Sequence, residues 1–435
     1  MIEMWVDFSP WAPLPPHFQE PSNLSGAVGI RSVLPDSGAR KEGSAVSTLK
    51  SQPRTFPPVG LREVRTLFTV FVALGLLLTL PIPSPAQYFG RNKVQYDDFD
   101  FEVMHTDHFR LHFYEEQSPQ VVEDFGRMAE RWYERFARTF EFAYEEKKPL
   151  LLYANKADFQ QTNAIPGFLS QGTGGVTESV KNRVIMPLAA TYGETDHVLG
   201  HELIHSFQYS IAGIRRGGGA TGFDRMPGWF IEGMPEYLSV GRDDPHTAMW
   251  MRDAVLYDDV PTIKQMNQGG DYFPYRFGHA LWAFIAGTYG DAAVPQLFRL
   301  TGQVGVGGAF QQVLQVHPDT LSKAWVAAIK GHYGPLVENR THPEDAGHRV
   351  LAPGKDAGEM NLSPSLSPDG RFIAFFSERD IFSIDLFLAD AETGEVRGTL
   401  ASGNRNPHFD NLFFISSAGT WSPDGSRFAF VTFDE

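Results

Sequence analysis

Two histidines four residues apart, His201 and His205 in the stretch VLGHELIHSFQY, constrain this chain more than any other feature. Residues i and i+4 share one face of a helix, so both imidazoles can converge on a single ion. Glu202 sits between them, placed to reach a water beside the ion and not the ion itself. A zinc with three protein ligands and one open position lowers the pKa of such a water to about 7. The chain has no cysteine, so any metal must be held by His, Asp or Glu. MPGWFIEGMPEYLS, residues 226–239, offers Glu232 and Glu236, again four apart, among Trp229, Phe230, Ile231, Met234, Tyr237 and Leu238. Carboxylates in such apolar company are seldom buried unless paired or coordinated. Spacing alone leaves both open as the third ligand.

The pattern around the histidines is helical from Thr195 to Ile211, with Val198, Leu199, Leu203, Phe207 and Ile211 available for burial. Ahead of it, DFDFEVMHTDHFRLHFY alternates like two pairing strands. Val121, Phe125, Met128, Trp132 and Phe136 recur at helical spacing behind Ser118, a plausible N-cap. KKPLLLYAN reads as a buried strand and GGVTESVKNRVIMPL as a further strand or hairpin. The expected class is α+β, with a helical lobe from residue 226 to about Leu336. AGIRRGGGATGFDRMPG, between the two, matches no phosphate-binding fingerprint. Residues 338–360 are polar and read as a linker. Beyond them the period changes to two, and Ser-Pro-Asp-Gly occurs at Ser367 and again at Ser422. Asp-Gly turns between alternating strands are strong hairpin signals, and repeats of this length resemble the propeller blades of TolB and its periplasmic relatives. A propeller needs roughly four to eight blades, so residues 361–435 are expected to be the first blades of a truncated, all-β propeller.

Arg62 and Arg65 precede an apolar run, Leu67 to Leu80, followed by Pro81, Pro83, Pro85 and the small-residue end SPA before Gln87. This order reads as a secretory signal over residues 61–86, and the run is short for a membrane span. The expectation is an exported protein, periplasmic or secreted, with no stable span after cleavage. Residues 1–60 then read as an unstructured or mis-called extension, with initiation near Val59 to Val64. Lys and Arg number 37 against 52 Asp and Glu, a net charge of −15, which argues against nucleic-acid binding through phosphates.

The motif and its context resemble the gluzincin metallopeptidases, of the peptidase MA-like, thermolysin and aminopeptidase N type. The detailed match covers Thr195 to Gly278, and a looser one runs from about Tyr88 to the C-terminus. The resemblance implies a zincin-like domain over residues 87–337, zinc as cofactor and a peptide or protein as substrate. WFIEG matches a Trp-x-x-Glu-Gly context, which assigns the third ligand to Glu232 and leaves Glu236 a bystander. FPYRFGHAL resembles a segment whose tyrosine donates to the oxyanion, which maps that role onto Tyr275. Glu202 becomes general base and then general acid, and Asp196 a candidate to orient a histidine. The match breaks at GGVTES, where Thr177 stands in place of the glutamate that grips a free amino terminus and Glu178 comes one residue late. Endopeptidase and aminopeptidase readings both stay open. Two rivals remain: a non-catalytic envelope protein binding partners through its propeller, with a relic zinc lobe, and zinc hydrolysis of a non-peptide bond.

Overall fold

The computed structural model describes residues 2–7, 98–165, 169, 172–213, 222–354, 357–358, 360–379, 384–402, 411–412, 414 and 417–433. The expected signal peptide, and residues 1–60 apart from 2–7, lie outside these. Strand β1 (Ile2–Asp7) falls within the segment read as unstructured, where the period-two pattern of IEMWVD was hidden by the prolines and serines after it.

Strands β2 (Glu102–His105) and β3 (Phe109–Phe113) form the expected pair, and it is antiparallel. Strand β4 (Lys148–Tyr153) lies parallel to β3, and β6 (Arg183–Pro187) parallel to β4. Strand β5 (Val176–Glu178) pairs antiparallel with β6 and ends the sheet, whose order is β2-β3-β4-β6-β5. Helix α1 (Pro119–Phe140) starts at Ser118, whose hydroxyl accepts from the Val121 amide at 3.3 Å. It buries Val122, Phe125, Met128, Trp132 and Phe136 against β3 and the histidine helix. After the short α2 (Lys156–Gln160), the histidine helix α3 runs Tyr192–Ala212. It begins three residues before Thr195 because of a capping box: Thr191 accepts from the Glu194 amide and Glu194 from the Thr191 amide, each at 3.2 Å. That Thr-x-x-Glu signature stood in the sequence.

The helical half comprises α4 (Gly228–Val240), α5 (Pro245–Leu256), α6 (Ile263–Gln268), α7 (Pro274–Tyr289), α8 (Ala293–Ala309, broken at Gly305), α9 (Pro318–Val337) and the short α10 (Pro343–Ala346). One continuous apolar core joins it to the sheet, from Phe109 on β3 to Ile329 on α9. The tightest crossing is α4 on α7. A Cβ on Gly233 would fall 2.3 Å from the Gly278 carbonyl carbon, and one on Gly278 would fall 2.4 Å from the Trp229 oxygen. Backbone meets backbone there, and Glu232 is thereby brought against the start of α7.

The C-terminal residues form two open sheets. Strands β7 (Asn361–Leu366), β8 (Phe372–Ser377), β9 (Asp385–Asp390) and β10 (Val396–Ala401) make a four-stranded antiparallel meander. Strands β11 (Asn411–Leu412) and β12 (Thr420–Trp421) pair with β13 (Arg427–Phe433), which also takes β1. The two Ser-Pro-Asp-Gly turns are built alike. Ser367 donates to Asp369 Oδ1 (2.7 Å) and Ser422 to Asp424 Oδ1 (2.6 Å), while each serine oxygen accepts an amide five residues on at 2.9 Å. Neither sheet closes among the described residues, where no helix is long and apolar enough to cross a membrane.

Candidate metal centre

Helix α3 presents His201, Glu202 and His205 where it packs on α4, and α4 brings Glu232 to them. His201 Nε2 and His205 Nε2 are 3.2 Å apart. Glu232 Oε2 lies 3.5 Å from the first and 3.2 Å from the second. Donors bonded to a tetrahedral ion at about 2.0–2.1 Å stand about 3.3 Å from one another, so the triangle fits such an ion. Glu232 Oε2 is also buried and receives no hydrogen bond, a costly arrangement unless a cation meets it. These three side chains could hold a metal ion.

Both imidazoles are turned by the groups behind them. His201 Nδ1 donates to Glu236 Oε1 (3.0 Å), which turns its Nε2 toward the triangle. Arg276 Nη1 in turn binds Glu236 Oε2 (2.9 Å) and Asp244 Oδ2 (3.1 Å), and Asp244 caps α5 by accepting from the Thr247 amide at 2.7 Å. His205 Nδ1 donates to Gln208 Oε1 (2.8 Å), while Gln208 Nε2 donates to the Ile231 carbonyl (3.1 Å). That carbonyl is free because Pro235, four residues on in α4, has no amide hydrogen. Glu236 is therefore no bystander; it is the carboxylate behind His201. Asp196 does not orient a histidine: it accepts from Trp132 Nε1 at 3.0 Å and lies 3.6 Å from Arg131. Five residues on a helix turn about 140°, which takes Asp196 off the His201 face.

The side chains of the triangle are coupled electrostatically. Burial opposes an imidazolium at His201, but Glu232 and Glu236 outweigh it and raise its pKa to about 10. Burial likewise opposes the Glu232 carboxylate, yet the two histidines hold its pKa well below the usual range. An ion entering the triangle must displace a proton, as metals generally do from histidine sites.

Glu202 is held under the sheet edge. Thr177 on β5 places its hydroxyl 2.7 Å from Glu202 Oε2 and 2.8 Å from the Glu202 carbonyl. A Cβ on Gly175 would fall 2.8 Å from Glu202 Cγ, so that position leaves the Glu202 side chain its space. Glu178 takes no part and pairs with Arg183 at 3.1 Å. Tyr275 opens α7 with its ring stacked on His201, centroids 5.7 Å apart. Burial and then the Glu232 charge raise the pKa of its phenol, which stays protonated. A cleft of about 510 Å³ is lined by His201, Glu202, Glu236 and Tyr275, together with Gly172 to Gly175, Phe273 and Arg276.

The sequence reasoning missed Glu236, Gln208, Arg276 and Asp244 as supports. The Glu232–Glu236 spacing and the glutamine three residues after His205 were the available signals for the first two. A metal point flanked by a fixed carboxylate and a phenol has the parts for moving a proton beside a polarised bond. Compared with known proteins, the chain matches no family model and no curated sequence.

Proposed function

We propose that this chain is an exported zinc-dependent hydrolase of peptide bonds, with a zincin-like domain of gluzincin type. The observation that carries the reading is the His201–His205–Glu232 triangle with its buried, unbonded Glu232 oxygen. Two imidazoles and one carboxylate are the donor set of catalytic zinc in several hydrolases. Zinc held there would supply a Lewis acid for a water and a carbonyl oxygen. Glu202 accepts the proton of that water and returns it to the leaving amine, acting first as base and then as acid. Thr177 keeps the Glu202 carboxylate in place, and Glu236 and Gln208 fix the ligand imidazoles. Tyr275 donates its hydroxyl to the oxyanion, where a fixed donor stabilises the transition state more than the substrate. A peptide substrate is favoured because Gly174 and Gly175 line the cleft directly before strand β5, which ends the sheet among the described residues and could pair with an extended chain. The C-terminal sheets are read as TolB-like propeller blades and a surface for protein partners.

The test combines metal analysis with cleavage of a broad peptide library. Glu202→Gln should retain zinc and lose about 10²- to 10⁴-fold in kcat, the usual contribution of a positioned acid–base group. A zinc-loaded wild type that cleaves no peptide would overturn peptide hydrolysis and favour the scaffold reading.

A further inference from the structure

One cation touches the lining of the cleft and takes no part in the chemistry above. Lys156, the first residue of α2, donates from Nζ to the Thr173 carbonyl and lies over the Phe159 ring, 4.9 Å from its centroid. Phe159 is buried with Tyr114, Tyr153, Leu169 and Ile185 in a core separate from the main one. Among the described residues no carboxylate pairs with Lys156, and burial lowers the pKa of its ammonium to about 8. Helix formation does not ask for lysine there, since a cation at the N-terminal end opposes the helix dipole. Gln160, one turn on, donates to the Leu169 carbonyl at 2.8 Å, so α2 holds the chain leading into β5 at two points.

The stretch it holds needs such support. Three of residues 172–175 are glycine, which loses more freedom on ordering than any other residue. They are set tight against α3: a Cβ on Gly174 would fall 3.1 Å from Val198 Cγ2, and Gly175 borders Glu202. Thr173 alone of the four carries a side chain, and its carbonyl is the atom that Lys156 takes. A hydrogen bond from an ionised donor is roughly twice as strong as a neutral one. The hold on this wall of the cleft is therefore firmest while Lys156 is charged.

Around α2 the titratable and charged groups are Asp158 on the helix itself, Tyr114 after β3, Tyr153 ending β4, Arg183 on β6 and Glu178 on β5. Asp158 accepts from the Tyr114 hydroxyl and from Asn155 Nδ2 at 2.9 Å, and Arg183 pairs with Glu178. Burial keeps both phenols protonated. His197 and Glu202 of α3 also line the cleft. The Lys156 proton thus answers to burial, not to a neighbouring charge.

We propose that Lys156 is a positioning residue: as an ammonium it pins residues 172–175 against Val198 and Glu202, and as an amine it releases them. Its effect on cleavage rests on the hydrolytic reading; the pinning does not. Because folded Lys156 titrates near 8, the wall is pinned below that pH and loosens above it.

The experiment compares the zinc-loaded full chain with Lys156→Arg and Lys156→Met at equal pH. Hydrogen exchange in a peptide spanning residues 172–177 reads the pinning without any substrate. At about pH 7 wild type should match the arginine variant, and the methionine variant should exchange about five- to tenfold faster, the worth of a charged hydrogen bond. At about pH 9.5 wild type should match the methionine variant instead, because arginine keeps its charge where lysine does not. Exchange in wild type equal to that of Lys156→Met at both pH values would overturn the pinning. In cleavage, kcat/KM reports the free enzyme and should fall about tenfold across this interval in wild type, but later in Lys156→Arg. An alkaline fall shared by the two would assign that limb to another group and remove the link from Lys156 to catalysis. Lys156-dependent exchange without cleavage by wild type keeps the pinning and removes hydrolysis; cleavage without Lys156-dependent exchange does the reverse.

Discussion

Glu232 and Glu236 are chemically identical side chains one helical turn apart, and the structure gives them different work. Glu232 aims a bare oxygen at two imidazole nitrogens, whereas both Glu236 oxygens are engaged, by His201 and by Arg276. Glu232→Ala should therefore empty the site, while Glu236→Gln should leave it fillable but weaken zinc by about 10- to 100-fold, as loss of a partner behind a ligand does. Competition against a chelator of known affinity measures both, and equal losses would show that Glu236 is itself a ligand. The two histidines were legible in the sequence because i, i+4 spacing survives any tertiary arrangement. Arg276 and Asp244 behind them were not, since Arg276 reaches Glu236 from 40 residues away and Asp244 braces Arg276 from 32, along paths that only the fold defines.

At the scale of elements, most helices and strands could be read from periodicity, and the class of mixed helices and open sheets follows. What the periods could not supply is how closely elements approach. The glycine of WFIEG reads in sequence as part of a motif; in the fold it is the contact between α4 and α7. Gly233→Ala would drive a methyl group into the Gly278 backbone, where nothing can rotate away. The expected destabilisation is at the upper end of the roughly 1–3 kcal/mol seen for overpacking, or beyond it. Urea unfolding of the two proteins should show it, and zinc affinity should fall with it because Glu232 is the adjoining residue. An unchanged midpoint would mean that the helices separate freely.

Across the whole molecule, the sheet and helices share one core, while the two Ser-Pro-Asp-Gly turns mark equivalent places in the C-terminal sheets. Hydrogen bonds from Ser367 and Arg371 hold Asp369 at a pKa of about 2, and those from Ser422 and Ser426 hold Asp424 at about 2. An unfolded aspartate titrates near 3.9. Depressed folded values mean that the turns contribute their full stability above roughly pH 5 and lose it as pH falls through about 2. The urea midpoint of the chain should exceed that of the Asp369→Asn, Asp424→Asn double variant at neutral pH, and the gap should narrow between about pH 4 and pH 2. A gap independent of pH would show that shape, not charge, makes the turns. The repeat itself was visible in sequence because turn chemistry is local; whether sheets close around an axis is a long-range property that no local signal carries.

The proline inside α4 has a consequence at the metal point. A helix that closed its own ladder at residue 235 would occupy the Ile231 carbonyl and leave the Gln208 amide free to rotate end for end. With that carbonyl open, only one orientation lets Gln208 satisfy both neighbours, and it obliges His205 to carry its hydrogen on Nδ1. The tautomer competent to donate a lone pair is thus chosen before any ion arrives, by a hydrogen missing from the backbone of a neighbouring helix.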